Sequence, residues 1–216
     1  MSFDKGLVRY WDEYYKKDAA PSFPSPFAEY VANKLSTKQN ILEIGCGNGR
    51  DSKFFSSKGH RVTGLDRSGE AIELCKSLYS NEPLEFFFGE VTDIVKTNNK
   101  KYDLIYSRFV IHAMSMDEEL EMLKTSYQLL NENGQFFIEC RSINDPLSNT
   151  GEILSHTERI EGHYRRFIIL EELKQRLIQV GFEIIEAIES NGLANLEEED
   201  PVVIRVKAIK QEKQKP

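Results

Sequence analysis

Short runs of Ile, Val, Leu and Phe recur along the chain, bounded by Gly, Asp, Asn or Ser, with amphipathic stretches between them. Seven of these runs read as strands: 40–46, 61–66, 84–89, 102–107, 135–140, 182–188 and 202–209. Their Ile, Val, Leu and Phe content suits strands covered on both faces. Helical periodicity fills the gaps at 27–35, 50–57, 69–79, 117–130 and 170–180. The fourth helix places Leu120, Leu123, Tyr127 and Leu130 on one face, and Ser115 with Glu118 forms a capping-box pattern at its start. Asn133-Gly134 turns the chain into the next strand, and Gly181 ends the last helix. Strands alternating with helices predict an α/β fold built on a mostly parallel sheet.

Two places break the alternation. Residues 141–166 are polar, turn-rich and arginine-bearing, a length and composition that point to a binding loop or lid. The last two strands are joined by residues 190–201, which carry no helical pattern. Lacking a crossover helix, they should pair antiparallel at the sheet edge. The charged tail 207–216 is expected to fray.

At 216 residues the chain fits one domain spanning 1–216, large enough to bury roughly 70% of its surface without crosslinks. Its 28 Lys and Arg against 35 Asp and Glu leave a formal charge of −7, which disfavours a role in coating nucleic acid. A local arginine cluster would still suffice for a small anionic substrate. Three dispersed cysteines without a C-x-x-C pattern read as reduced thiols, and the four histidines show no ligand spacing, so no metal site is expected. No apolar run reaches the ~20 residues that span a bilayer, and MSFDKGLVRYWDEYYKKD holds no uninterrupted apolar core of a signal peptide. The expectation is a cytoplasmic protein, monomer or homodimer, without membrane insertion.

The strongest chemical signal is ILEIGCGNGR at 41–50. A buried strand runs into Gly45, Gly47 and Gly49, and a helix opens at once, offering unpaired N–H groups to a polar ligand. Asp66 closes the second strand, where a carboxylate can accept hydrogen bonds from a ribose diol. The dinucleotide fingerprint is G-x-G-x-x-G, but here the spacing is G-x-G-x-G with Arg50 at the position of its third glycine. That argues against an NAD(P)-dependent oxidoreductase. Glu43 precedes the loop and completes E-x-G-x-G-x-G.

With these residues the chain resembles the class I S-adenosylmethionine-dependent methyltransferases over most of its length. EIGCGNG matches the family's first motif and GLD, ending at Asp66, its ribose-binding acid. Phe88-Gly89-Glu90-Val91 falls where the family usually carries Gly-Asp beside the adenine. YDLIYSRFVIHAM resembles the fourth-strand motif, and NENGQFFIE the turn into the fifth strand. The resemblance implies a doubly wound seven-stranded sheet, order 3-2-1-4-5-7-6 with an antiparallel last strand, and helices on both faces. It implies S-adenosyl-L-methionine as cofactor, with Glu43, Gly45, Cys46, Gly47, Gly49, Asp66, Arg67, Glu90, Val91, Ser107 and Tyr14 around it. Residues 1–26 would then cap the site, and the insertion 141–166 would form the acceptor side.

Several of these residues have a plain structural reading as well. Asp66 can be a helix cap, and Glu90 a solvated carboxylate. Tyr10, Trp11, Tyr14 and Tyr15 form two adjacent stripes that suit packing of a short N-terminal helix, yet an aromatic face also attracts a sulfonium. Tyr15 is placed with the acceptor. Arg108, Arg141, Arg165 and Arg166 lie at the ligand edge or end the insertion, and guanidinium forks suit carboxylate or phosphate. Surface ion pairing is the alternative for Arg165 and Arg166. His163 and His112 are the candidate general bases, needed only if the acceptor arrives protonated. The functional expectation is methyl transfer to a small, anionic acceptor, on oxygen in preference to nitrogen, with a surface-polysaccharide precursor as one lead. A non-catalytic cofactor-binding partner protein is the competing class.

Overall fold

Strand β1 (Asn40–Ile44) lies in the middle of a seven-stranded sheet and turns Ile41 to one face, Leu42 and Ile44 to the other. This alternation, repeated by its neighbours, builds one apolar layer on each side of the sheet. The structure is a computed structural model that describes residues 3–17, 20–97, 100–196 and 199–211. The sheet continues with β2 (Arg61–Asp66), β3 (Leu84–Phe88), β4 (Tyr102–Arg108), β5 (Leu130–Arg141), β9 (Phe182–Ser190) and β10 (Val203–Lys210). Its order is β3-β2-β1-β4-β5-β10-β9, and β10 alone runs antiparallel to its neighbours. Counted within this sheet the order is 3-2-1-4-5-7-6, as the family resemblance implies.

Helices α2 (Pro26–Ala32) and α3 (Arg50–Ser57) cover one face, packing Phe27, Val31 and Phe55 on Ile41, Leu104, Tyr106 and Phe137. Helices α5 (Val91–Thr97), α6 (Met116–Leu129) and α7 (Leu170–Val180) cover the other, with Ile94, Leu123 and Leu173 over Leu42, Ile105 and Phe136. Each fully buried Leu or Phe contributes roughly 1.5–3 kcal/mol of hydrophobic free energy. The capping box at the start of α6 forms as its sequence predicts: Ser115 Oγ accepts from Glu118 N, and Glu118 Oε2 accepts from Ser115 N at 2.6 Å. Helix α4 (Gly69–Leu78) follows β2, and α1 (Phe3–Lys16) packs on it through Asp12, whose Oδ1 accepts from Ser68 Oγ at 2.6 Å.

Three features depart from the sequence expectation. Helix α5 has only seven residues and starts V-T-D, too short and polar to announce itself. The insertion is not an irregular loop: β6 (Glu152–Ile153), β7 (Glu158–Glu161) and β8 (His163–Arg166) form a separate antiparallel sheet. The tail was expected to fray from Lys207, yet β10 runs through Lys210. Lys210 is buried, and its ammonium donates to Leu130 O at 2.9 Å, so the pairing with β5 and β9 holds the chain there. Residues 212–216 lie outside the described residues.

Candidate active site

The parallel strands point their carboxyl ends the same way, so the turns after β1, β2, β4 and β5 gather at one edge of the sheet. After β1 the amides of Gly45 and Cys46 both donate to Leu65 O, at 2.7 and 2.9 Å, which locks the glycine loop to β2. Gly47 has φ +53, and its N–H donates to Asp66 Oδ2 at 2.8 Å. The other Asp66 oxygen accepts from Ser68 N at 2.8 Å. Burial raises the Asp66 pKa, against the pull of these two amide donors. Asp66 is therefore both the brace of the glycine loop and the cap of the following turn. Each of its oxygens keeps a lone pair beyond those the amides use.

A cavity of about 320 Å³ opens over this loop, within the roughly 300–1,000 Å³ range of small-molecule sites. Glu43, Gly45, Cys46, Gly47, Asp66, Arg67, Glu90 and Val91 line it, as do Tyr14, Tyr15, Arg108 and Arg141. Gly49 does not. A Cβ there would sit 2.9 Å from Cys75 Sγ and from the Tyr79 ring, so Gly49 is a packing glycine beneath the loop. Ser107 is also off the wall: it is buried inside β4, and its hydroxyl has no partner. Glu90 is neither a solitary solvated carboxylate nor a free acceptor, because Arg67 donates to it at 2.6 Å and to Glu118 at 2.6 Å.

Behind the loop, Glu43 pairs with Ser52 Oγ. Burial, reinforced by the charge of Asp51, pushes the Glu43 carboxyl well above its ordinary pKa. Asp51 in turn gathers Ser25 N, Ser25 Oγ and Tyr106 Oη, each at 2.7 Å. Asn48 Nδ2 donates to Pro21 O at 3.0 Å. The connector between α1 and α2 is thus tied to the glycine loop by side chains of residues 48 and 51. Helix α1 closes the cavity with Val8, Trp11, Tyr14 and Tyr15.

The wall formed after β4 is built around Phe109, whose φ of +57 is rare outside glycine and marks a constrained turn. Its ring carries the Arg108 guanidinium at 4.1 Å, the Arg141 guanidinium at 5.5 Å and the His112 ring at 5.2 Å. Arg108 Nε donates to the fully buried Glu139 at 2.8 Å, which also accepts from Arg205 at 2.7 Å. Arg141 spans Asp145 and Glu199, at 3.0 and 3.1 Å.

Other expected acceptor residues stand elsewhere. Arg166 is buried, pairs with the buried Glu119, and donates to the carbonyls of Met114 and Ile111, so it is a structural ion pair and not an acceptor ligand. Its strand alternation turns it inward, while Arg165 on the same strand stays half-buried and off the cavity wall. His163 is off the wall as well. It stacks on Tyr10 at 4.1 Å, and burial, with help from Arg165 and Arg141, lowers its pKa to about 4. His112 is buried, with Nδ1 unpartnered and its pKa well below the ordinary value for the same reasons. Neither histidine lines the cavity. Both tyrosines line the cavity: Tyr15 packs on Gly47 near Asp66, and Tyr14 lies near Arg50 and Glu199.

Sequence reasoning passed over Asn48, Asp51, Phe109, Glu118 and Glu199 on or beside this wall. Asp51 carried a usable signal, an acid in the first turn of the helix that opens from the glycine loop. Glu199 carried none, since EEED reads as a solvated surface run. Among the described residues no group of three or more His, Cys, Asp and Glu could hold a metal, and no helix is long and apolar enough to cross a membrane.

A family model described as "Methyltransferase domain" matches residues 13–187. The chain is similar to the ubiquinone biosynthesis O-methyltransferase of Pelagibacter ubique, 30% identical over 138 residues, covering 63% of this chain and 53% of that protein. It is also similar to the O-antigen chain terminator bifunctional methyltransferase/kinase of Escherichia coli, 26% identical over 101 residues, 43% of this chain and 14% of that protein. The curated relatives it matches are spanned over 14% to 59% of their lengths. Among solved structures, the CcbJ methyltransferase from Streptomyces caelestis superposes with a TM-score of 0.71 at 15% identity, over 90% of this chain and 94% of that one.

Proposed function

The chain belongs to the methyltransferase-domain family, class I and Rossmann-like with S-adenosylmethionine as cofactor, and on that premise we propose that it methylates a small anionic acceptor. The residues present suit the cofactor. The backbone of Gly45, Cys46 and Gly47 offers a strip without side chains, and the free lone pairs of Asp66 suit a ribose diol. Glu43 stands behind the strip, Val91 and the backbone of Glu90 border the adenine side, and Arg67 is fixed there by Glu90 and Glu118. Bound S-adenosylmethionine supplies a methyl carbon already activated by a sulfonium. Trp11, Tyr14 and Tyr15 line the same cavity, and their aromatic surface would attract that positive charge and keep water from it.

The observation that carries the acceptor class is the pair of guanidinium groups, Arg108 and Arg141, flanking Phe109 on the cavity wall. Both are held by carboxylates of the chain, Arg108 by Glu139 and Arg141 by Asp145 and the exposed Glu199, and their guanidinium forks suit a carboxylate or phosphate that takes the place of an exposed partner. An anionic oxygen is already a nucleophile, so the chain's task is to hold it in line and keep water out. No base is required, in keeping with two histidines that stand off the wall with depressed pKa values. Oxygen is therefore the atom methylated. The similarity to an O-antigen chain terminator keeps a surface-polysaccharide precursor as a lead. Buried, unpaired Cys46, Cys75 and Cys140 suit a reducing cytoplasm, and a small molecule, not nucleic acid, is the partner.

The test is a screen of small carboxylates and phosphate esters for cofactor-dependent thermal shift and for methyl incorporation. Turnover restricted to anionic acceptors and lost in Arg141→Ala supports the reading. Efficient turnover of neutral acceptors by both proteins sinks it, and cofactor binding without any turnover favours a non-catalytic partner protein.

A further inference from the structure

Four arginines line the cavity, Arg50, Arg67, Arg108 and Arg141, and their partners divide them. Arg67 is held by Glu90 and by Glu118, each at 2.6 Å. Arg108 is held by Glu139 at 2.8 Å, and Arg141 by Asp145 and Glu199 at 3.0 and 3.1 Å. Arg50 has no such carboxylate among the described residues. Asp51 comes nearest, its Oδ1 lying 4.0 Å from Arg50 Nε, beyond hydrogen-bond reach. Both Asp51 oxygens already accept from Ser25, and Oδ2 from Tyr106 as well, each at 2.7 Å.

The Arg50 side chain makes a single long hydrogen bond among the described residues, from Nη1 to Phe23 O at 3.4 Å, and its guanidinium lies 6.0 Å from the centre of the Phe23 ring. A guanidinium is a planar fork of N–H donors, and most of those on Arg50 are uncommitted. The side chain is nevertheless only 12% exposed. Its position is fixed by the chain: Arg50 follows Gly49 directly and opens α3. Phe23 lies on the connector that Asn48 and Asp51 tie to the glycine loop. Arg67, by contrast, follows Asp66 and is drawn toward Glu90, on the side given to the adenine.

We propose that Arg50 binds the carboxylate at the amino-acid end of S-adenosylmethionine through its uncommitted N–H groups. The proposal rests on the cofactor and is independent of the acceptor class. The cofactor runs in one line from adenine through ribose and sulfur to an amino acid. With adenine beside Val91 and ribose on Asp66, its far end passes along the side-chain-free strip of Gly45, Cys46 and Gly47 toward the connector. A carboxylate arriving there meets a guanidinium that has donors to give and no anion to release, and the fork geometry suits two parallel hydrogen bonds. Arg67, Arg108 and Arg141 would each have to part from a carboxylate to do the same. The arginines of the cavity thereby divide their work: Arg50 anchors the cofactor, and Arg108 and Arg141 remain for the acceptor.

The test is calorimetry with S-adenosylhomocysteine and with its decarboxylated analogue, which differs only in lacking the carboxylate. Wild type is compared with Arg50→Gln, which keeps a donor for the Phe23 carbonyl, with Arg50→Lys, which keeps the charge without the fork, and with Arg141→Gln. Wild type should bind S-adenosylhomocysteine at least about tenfold more tightly than the analogue. That ratio should fall to near unity in Arg50→Gln, take an intermediate value in Arg50→Lys, and persist in Arg141→Gln. A ratio near unity in wild type, or an unchanged ratio in either Arg50 variant, overturns the proposal. Equal weakening of both ligands in Arg50→Gln is such an unchanged ratio, and makes Arg50 a prop of the glycine loop. A ratio that collapses in Arg141→Gln and survives in Arg50→Gln also overturns it, and takes Arg141 away from the acceptor. Failure of wild type to bind either ligand brings down the placement of the cofactor together with the proposal.

Discussion

The phenolic oxygen of Tyr15 stands 2.3 Å from where a Cβ on Gly47 would be. Helix α1 and the glycine loop are thus in contact at Gly47, where a side chain would displace Tyr15. Gly47→Val adds a branched side chain at φ +53, a conformation costing a non-glycine residue roughly 1–2 kcal/mol, and displaces Tyr15. Calorimetry with S-adenosylhomocysteine should find binding abolished in the variant and NAD binding absent in wild type. Wild-type affinity in Gly47→Val would contradict the placement of the cofactor.

Asp66→Ala removes a ribose acceptor and also the partner of two loop amides, Gly47 and Ser68. A hydrogen bond to a charged group is worth roughly 1.5–3 kcal/mol, so the cofactor Kd should rise at least about tenfold. The melting temperature should fall as well, because both amides lose their acceptor. An unchanged Kd would remove Asp66 from the site.

Two arginines that look equivalent in the sequence should separate experimentally. Arg166→Met leaves the buried Glu119 with Arg176 as its remaining cation and should destabilise the fold by about 3–5 kcal/mol. Cofactor affinity in the folded protein should stay the same. Arg141→Lys keeps the charge but loses the two-pronged geometry. It should raise the acceptor KM or cut turnover with little effect on cofactor Kd, as read from steady-state kinetics. A purely thermal effect of Arg141→Lys would make it a structural ion pair.

His163 makes stability depend on pH. Its native pKa of about 4 lies below the ordinary value of 6.5, so between these the unfolded chain binds more protons. Stability from this group is complete above about pH 6.5 and declines as pH falls toward 4, by at most about 3 kcal/mol. Arg165 and Arg141 oppose protonation, Glu161 favours it, and Tyr10 stacks on the ring. His163→Phe keeps the stack and should flatten the decline in melting temperature between pH 7 and 4.5. His112 has the same sign and leaves a residual slope. An unaltered slope would show that His163 is not its source.

Features carried by consecutive residues were legible in the chain itself. Strand runs, the capping box at Ser115, the glycine spacing of 45–49 and the acid closing β2 each arise from local geometry, and their order along the chain implied the sheet order. Glu43, Asp66, Val91, Arg108 and Arg141 reach the cavity because they sit at or near strand ends, and strand ends can be read from periodicity. The insertion was visible as a break in the pattern, but its small sheet was not, because β6 to β8 are short and polar.

Partner choice across the fold was decided by tertiary structure alone. Arg165 and Arg166 are adjacent, yet strand alternation leaves one half-buried on the Glu161 carbonyl and sends the other into Glu119, 47 positions earlier. Whether Tyr14 or Tyr15 meets Gly47 depends on how α1 lies on α4, a packing angle that i, i+4 spacing does not encode. His163 and His112 looked like bases because imidazole titrates near neutrality; burial among arginines removes that property, and burial belongs to the whole fold. Glu199 is the clearest case. In an acidic run it is one solvated charge among several, and only the return of β10 beside β5 brings it to Arg141, 58 positions away.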